Sequence, residues 1–143
     1  MKKQVVLFFS LAVVLFSFTS CKKAIQEAQE QEITNAITNG TWYVLKFTEG
    51  GVDKTTDYTG WDAIYYDNGT FRMAKTGETP LTGTWAGNAA DWTFTITFNT
   101  TPPSPLEKLG GVWTVTRAVS TDKGSYSKTV AGVIYELEMK KRP

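Results

Sequence analysis

Few side chains in this sequence are suited to covalent or acid–base chemistry, and the thiol of Cys21 stands out among them. It is the only cysteine in the chain, so no internal disulfide can form and the fold must rest on its core. Histidine is absent. That removes the commonest general base, the commonest zinc ligand and the side chain that ordinarily titrates between about pH 5 and 8. Ser-His-Asp, Cys-His and HExxH arrangements are therefore impossible. A carboxylate pair for glycoside hydrolysis would have to come from Asp53, Asp57, Asp62, Asp67 or Asp91, and no spacing among them is diagnostic. The expectation is a non-enzymatic protein with no metal and no cofactor.

The residues in front of Cys21 give its thiol a role. Met1-Lys2-Lys3-Gln4 is a short basic segment, Val5 to Phe18 is predominantly apolar, and Thr19-Ser20 lead into the cysteine. These are the three parts of a secretory signal. As a helix the apolar stretch would reach ~21 Å at ~1.5 Å per residue, short of the ~30 Å hydrocarbon core. A cleaved signal is expected rather than a retained span. A free thiol in an oxidising compartment is a liability, and its place at the signal's end resembles the lipobox of bacterial lipoproteins. Phe18 stands where leucine is usual, a variant common in Bacteroidetes lipoproteins, as is the run Ser20-Cys21-Lys22-Lys23. The resemblance implies cleavage before Cys21 and attachment of palmitate-type acyl chains to it. Each buried methylene contributes ~0.8 kcal/mol, so two or three chains make a near-permanent membrane anchor. Lys22, in place of aspartate after the cysteine, implies the outer membrane by resemblance to a known sorting rule. Which face of that membrane the domain occupies is left open, as is its oligomeric state.

Composition narrows the partners. Fifteen basic residues face fourteen acidic ones, and two of the basic ones belong to the signal. Nucleic acid, which needs a basic face, is not an expected partner, nor is a polybasic membrane patch. The chain divides into a signal at 1–20, a lead-in at 21–39 and one small domain at 40–143. In the lead-in, Lys22 to Glu32 is a polar run that reads as a tether, and Ile33, Ala36 and Ile37 are spaced to share one face of a short helix. Asn39-Gly40 ends it.

Beyond Gly40 the hydrophobic period becomes two. Trp92, Phe94, Ile96 and Phe98 alternate with Thr93, Thr95 and Thr97; Val133, Tyr135, Leu137 and Met139 alternate with Ile134, Glu136 and Glu138. Strands with one dry and one wet face are antiparallel. Asp67-Asn68-Gly69-Thr70 marks a tight hairpin. Strands are predicted near 41–48, 60–66, 70–76, 81–86, 92–98, 111–119, 125–130 and 132–141, an all-β meander. An up-and-down eight-stranded barrel is favoured, because closure removes exposed edges. A β-sandwich is the alternative, with Asn99–Gly110 as its long crossing connection.

Gly40-Thr41-Trp42 at the start of the first strand resembles the Gly-x-Trp signature of lipocalins. Asp67-Asn68-Gly69-Thr70-Phe71, Thr82-Gly83-Thr84-Trp85, Gly111-Val112-Trp113-Thr114-Val115 and Tyr135 to Lys141 are similar to the lipocalin-like domains of Bacteroidetes lipoproteins, over about residues 33–142. The resemblance implies an eight-stranded barrel and binding of a small apolar ligand. The domain is shorter than most lipocalins, which favours a filled barrel. For the cation that packs over the opening tryptophan in that family, Arg117 and Arg142 are candidates.

The candidate ligand-binding residues are Trp42, Phe71, Trp85, Trp92, Phe94, Trp113 and Arg117. Aromatic walls suit an apolar ligand, and an eight-stranded barrel has room for one small molecule. The same rings equally serve as core, each burying ~150–250 Å². Arg117 faces inward if the alternation of Trp113 and Val115 continues, where it would fix a ligand carboxylate; at a strand end it would instead reach water. Two other readings stay open. One is a filled barrel acting as an interaction or envelope-structural module. The other is glycan binding, with Trp61, Tyr65 and Tyr66 near Asp62 and Asp67.

Overall fold

The computed structural model describes residues 22–117 and 120–143. Cys21 and the expected signal at 1–20 lie outside the described residues. The chain opens with helix α1 (22–38), rich in Gln, Glu and Ala, which favour helix. Side chains one turn apart support it: Lys23 pairs with Glu27 at 3.7 Å and Gln31 donates to Asn35 at 3.0 Å. Its apolar positions Ile33 and Ile37 face the barrel core. Gly40, at φ 117°, turns the chain into the first strand.

Nine strands follow: β1 (Thr41–Glu49), β2 (Val52–Asp53), β3 (Asp62–Tyr65), β4 (Thr70–Ala74), β5 (Leu81–Asn88), β6 (Thr93–Phe98), β7 (Gly111–Arg117), β8 (Lys123–Val130) and β9 (Val133–Lys141). From β3 to β9 each strand pairs antiparallel with the next, and β1 closes the ring by pairing with both β3 and β9. The result is a closed eight-stranded barrel, with β2 an added two-residue arm against Thr48 and Glu49. The sandwich alternative fails at its own criterion. The 99–110 connection joins β6 to β7, which are neighbours, so nothing crosses over.

Alternation explains which side is dry. On β6, Phe94 and Ile96 are buried while Thr97 is exposed; on β9, Leu137 and Met139 are buried and Lys140 exposed. Apolar-in and polar-out is the pattern of a barrel that stands in water. At the β3–β4 hairpin, Asn68 Oδ1 accepts from the backbone N–H and the hydroxyl of Thr70, and Gly69 supplies the positive φ that the turn needs. Gly83 solves a different problem: a β-carbon there would run into the Thr97 carbonyl and the Phe71 ring.

The two ends of the barrel are built differently. The base is stoppered by two 3-10 turns, Thr55–Tyr58 and Leu106–Leu109, which bury Tyr58, Leu106 and Leu109. The Tyr58 hydroxyl donates to the Pro105 carbonyl at 3.3 Å, and the Trp113 indole N–H donates to the Leu109 carbonyl at 2.9 Å. The other end, called here the mouth, carries the β3–β4, β5–β6 and β7–β8 connections. Helix α1 lies across it, tied down where the Trp42 indole N–H donates to the Ile37 carbonyl at 2.8 Å.

Candidate functional site

The barrel interior is occupied by rings. Near the mouth, Tyr65 meets Phe71, Trp85 and Phe94 at centroid distances of 6.0, 5.9 and 5.7 Å, and Phe94 meets Tyr126 at 5.4 Å. Toward the base, Phe47 meets Tyr58 at 4.5 Å and Trp113 at 6.3 Å. Such tilted and edge-on pairs are the favoured aromatic geometries.

Above this packing lies a cavity of about 950 Å³ between α1 and the mouth. Phe94, Val115 and Tyr126 form its barrel side, and Ile33, Ala36 and Ile37 its helix side. Trp92, from the β5–β6 turn, and Asn88, at the end of β5, stand at its rim. Among the described residues, Glu32 and Lys141 are the charged groups on the lining, beside carboxamides of Gln29, Asn35, Asn39 and Asn88. The volume sits within the ~300–1,000 Å³ range of small-molecule sites.

The seven candidate residues separate in three dimensions. Of them, Phe94 and Trp92 line the cavity. Trp42, Phe71, Trp85 and Trp113 are buried in the core. Three of these tryptophans staple connections to the barrel, since the Trp85 indole N–H donates to the Tyr66 carbonyl at 2.9 Å as Trp42 and Trp113 do to theirs. Trp92 does not share the inward face with Phe94 and Ile96. Its φ of 53° lies in the left-handed region, so the strand begins only at Thr93 and the residue is 55% exposed. The turn that holds it is fixed by Asn88, which accepts from the Asp91 N–H and donates to its carboxylate. Val115 N–H donates to the Trp92 carbonyl at 2.8 Å.

Arg117 also departs from expectation. A bulge between Val115 and Arg117 slips the register against β8, so the alternation that would turn Arg117 inward is broken and the residue is exposed. Neither arginine candidate covers Trp42. Lys141 does, with its ammonium 5.2 Å from the ring centroid. Arg142 stacks over Tyr43 and donates from Nε and Nη2 to Asp62 at 3.0 and 2.7 Å. The Trp61, Tyr65 and Tyr66 cluster is divided likewise: Trp61 and Tyr65 are buried and only Tyr66 reaches the surface. Ile33 and Ile37 were legible as one helix face. Val115 and Tyr126 carried no signal beyond strand alternation, because the helix that makes them cavity walls is remote in sequence.

No family model matches the chain, and no curated protein matches it. Among solved structures, it is similar to a DUF4847 family protein from Bacteroides vulgatus, with a TM-score of 0.52 and 18% identity over 75% of this chain and 96% of that one. It is also similar to an uncharacterized protein from Bacteroides eggerthii, with a TM-score of 0.50 and 12% identity over 72% of this chain and 98% of that one. At these identities the likeness is one of fold.

Proposed function

We propose that this chain is a lipid-anchored, lipocalin-like protein of the outer membrane that binds a small hydrophobic ligand without catalysis. The observation that carries the reading is the cavity between α1 and the barrel mouth, walled by Ile33, Ile37, Phe94, Val115 and Tyr126. The ligand would seat there, at the mouth, rather than deep among the rings that fill the barrel. Burial of its apolar surface, at ~25 cal/mol per Å² before the costs of association, would supply the affinity. The anchor rests on the sequence in front of Cys21. Because the described part of α1 reaches back to residue 22, acylation of Cys21 would hold the mouth near the bilayer, where apolar molecules partition.

Titration of the full chain with a neutral, environment-sensitive apolar dye tests the reading. Saturable one-to-one binding that quenches tryptophan fluorescence is the expected result. With no histidine, the affinity should stay nearly flat from about pH 5.5 to 8. A folded chain that binds no dye, or a steep change within that range, contradicts the proposed site.

A second reading has its own observation. Val112 on β7 and Val130 and Ile134 at the β8–β9 hairpin are more than half exposed on the outside of the barrel. An interaction module would use that wall and leave the cavity empty.

A further inference from the structure

Tyr126 lines the cavity and carries a hydroxyl that bonds to no described residue. The residue points inward from β8 and is 4% exposed. Two positions earlier on the same face is Gly124, and a β-carbon there would collide with the phenol oxygen. The missing side chain leaves a trough along which the ring lies, with its hydroxyl aimed toward the mouth. The Phe94 ring, 5.4 Å away and tilted by 32°, backs it from the other side.

Of the other polar rings buried in the core, all but the Trp61 indole have partners. The indoles of Trp42, Trp85 and Trp113 donate to backbone carbonyls, Tyr58 donates to Pro105, and Tyr65 lies 3.7 Å from the Met139 sulfur. Tyr126 has no hydrogen bond to any of the described residues. Yet no fully enclosed side-chain nitrogen or oxygen among them lacks a partner. The Tyr126 oxygen is therefore not fully enclosed, and its residue lines the cavity. Burial pushes this phenol well above the usual tyrosine range, so it stays protonated and able to donate at physiological pH. Among the described residues, the charged lining groups, Glu32 and Lys141, balance one another, and the rest of the polar rim is carboxamide and hydroxyl.

Building on the ligand-binding reading above, we infer that the cavity takes an uncharged apolar molecule whose inner end carries an oxygen acceptor, a carbonyl or ether that accepts from the Tyr126 hydroxyl. A charged ligand would find no net countercharge on this lining and would lose its hydration. A pure hydrocarbon would leave the hydroxyl without a partner, which is costly once water is excluded.

Two naphthalene probes of matched shape test this on the full chain. One is 6-propionyl-2-(dimethylamino)naphthalene, and the other is its 6-propyl analogue, which lacks the carbonyl. Tyr126→Phe removes one oxygen that bonds to no described residue, so cooperative unfolding should be unchanged. Wild type should bind the ketone about three- to tenfold more tightly than Tyr126→Phe, the range of one net hydrogen bond. The propyl analogue, which leaves the Tyr126 hydroxyl without a partner, should bind Tyr126→Phe at least as tightly as wild type. The bound ketone should also emit further to the red in wild type, as a hydrogen-bonded carbonyl does. Equal ketone affinity in the two proteins overturns the role of Tyr126 and leaves the cavity reading intact. Tighter binding of the anion 8-anilinonaphthalene-1-sulfonate than of the ketone overturns the uncharged class. Failure of every probe to bind either protein overturns the ligand-binding reading as well.

Discussion

Lys128 shows how much a single side chain contributes to the closed base. Its ammonium lies 4.3 Å from the Trp113 ring centroid and donates to the carbonyls of Lys108 and Gly110, the latter at 2.6 Å. It thus pins the 3-10 turn at Leu106–Leu109 to the barrel, while Lys108 reaches across to Glu49 at 2.7 Å. Burial pushes Lys128 down to about 8. That lies below the ordinary lysine value, so between about pH 8 and 10 the unfolded chain holds a proton that the folded chain has released, and stability rises with pH there. Above about pH 10 the slope reverses, because burial raises the phenols of Tyr58, Tyr65 and Tyr126 and the unfolded chain ionises first. Lys128→Met should cost about 1–2 kcal/mol by leaving two carbonyls unpaired. Urea midpoints at about pH 7.5 and 9.5 should rise in wild type and stay flat in the variant. A fall in wild type, or a rise retained by Lys128→Met, would remove this account of the base.

At the scale of elements, packing constraints concentrate where β5 crosses β6. Gly83 pairs with Phe98, and its missing side chain lets the Phe71 ring and the Thr97 carbonyl come close. Gly83→Ala has no room on a backbone side and should destabilise by about 1–3 kcal/mol, read as a lowered thermal midpoint. A change within a few tenths of a kcal/mol would show that β5 can move, against the tight packing described. The strands themselves were legible because alternation and hairpin chemistry are local. All eight predicted strands are present, with ends shifted by a few residues and the last two residues of the 111–119 stretch outside the described ones. The failures have local causes that composition conceals. β2 has two residues and each 3-10 turn four, too short for any period to register. Trp92 continued a perfect alternation, but its backbone turns left-handed and carries the ring outward. Arg117 followed one too, and the bulge beside Val115 ended it. The cavity was illegible for a different reason. It exists only because α1 packs across strands far from it in sequence.

The whole molecule has a closed end and a covered end. Hydrogen-bonded 3-10 turns, the Lys128 contacts and buried Tyr58 stopper the base. At the mouth α1 rests on Ile33, Ile37 and one indole bond, and the space beneath it is open to a guest. This polarity is the basis for placing a ligand at the mouth, and it separates that reading from use of the outer wall. The isoleucines are well distributed to decide between the two. Ile33 and Ile37 line the cavity, whereas Ile134 stands exposed on the outer wall. The most direct measurement is a titration of methyl-labelled full chain with the propionyl naphthalene, following isoleucine resonances. Saturable shifts at Ile33 and Ile37, with Ile134 unmoved, are predicted. Shifts at Ile134 with Ile33 and Ile37 silent, or no saturable shift at all, would contradict a ligand site at the mouth.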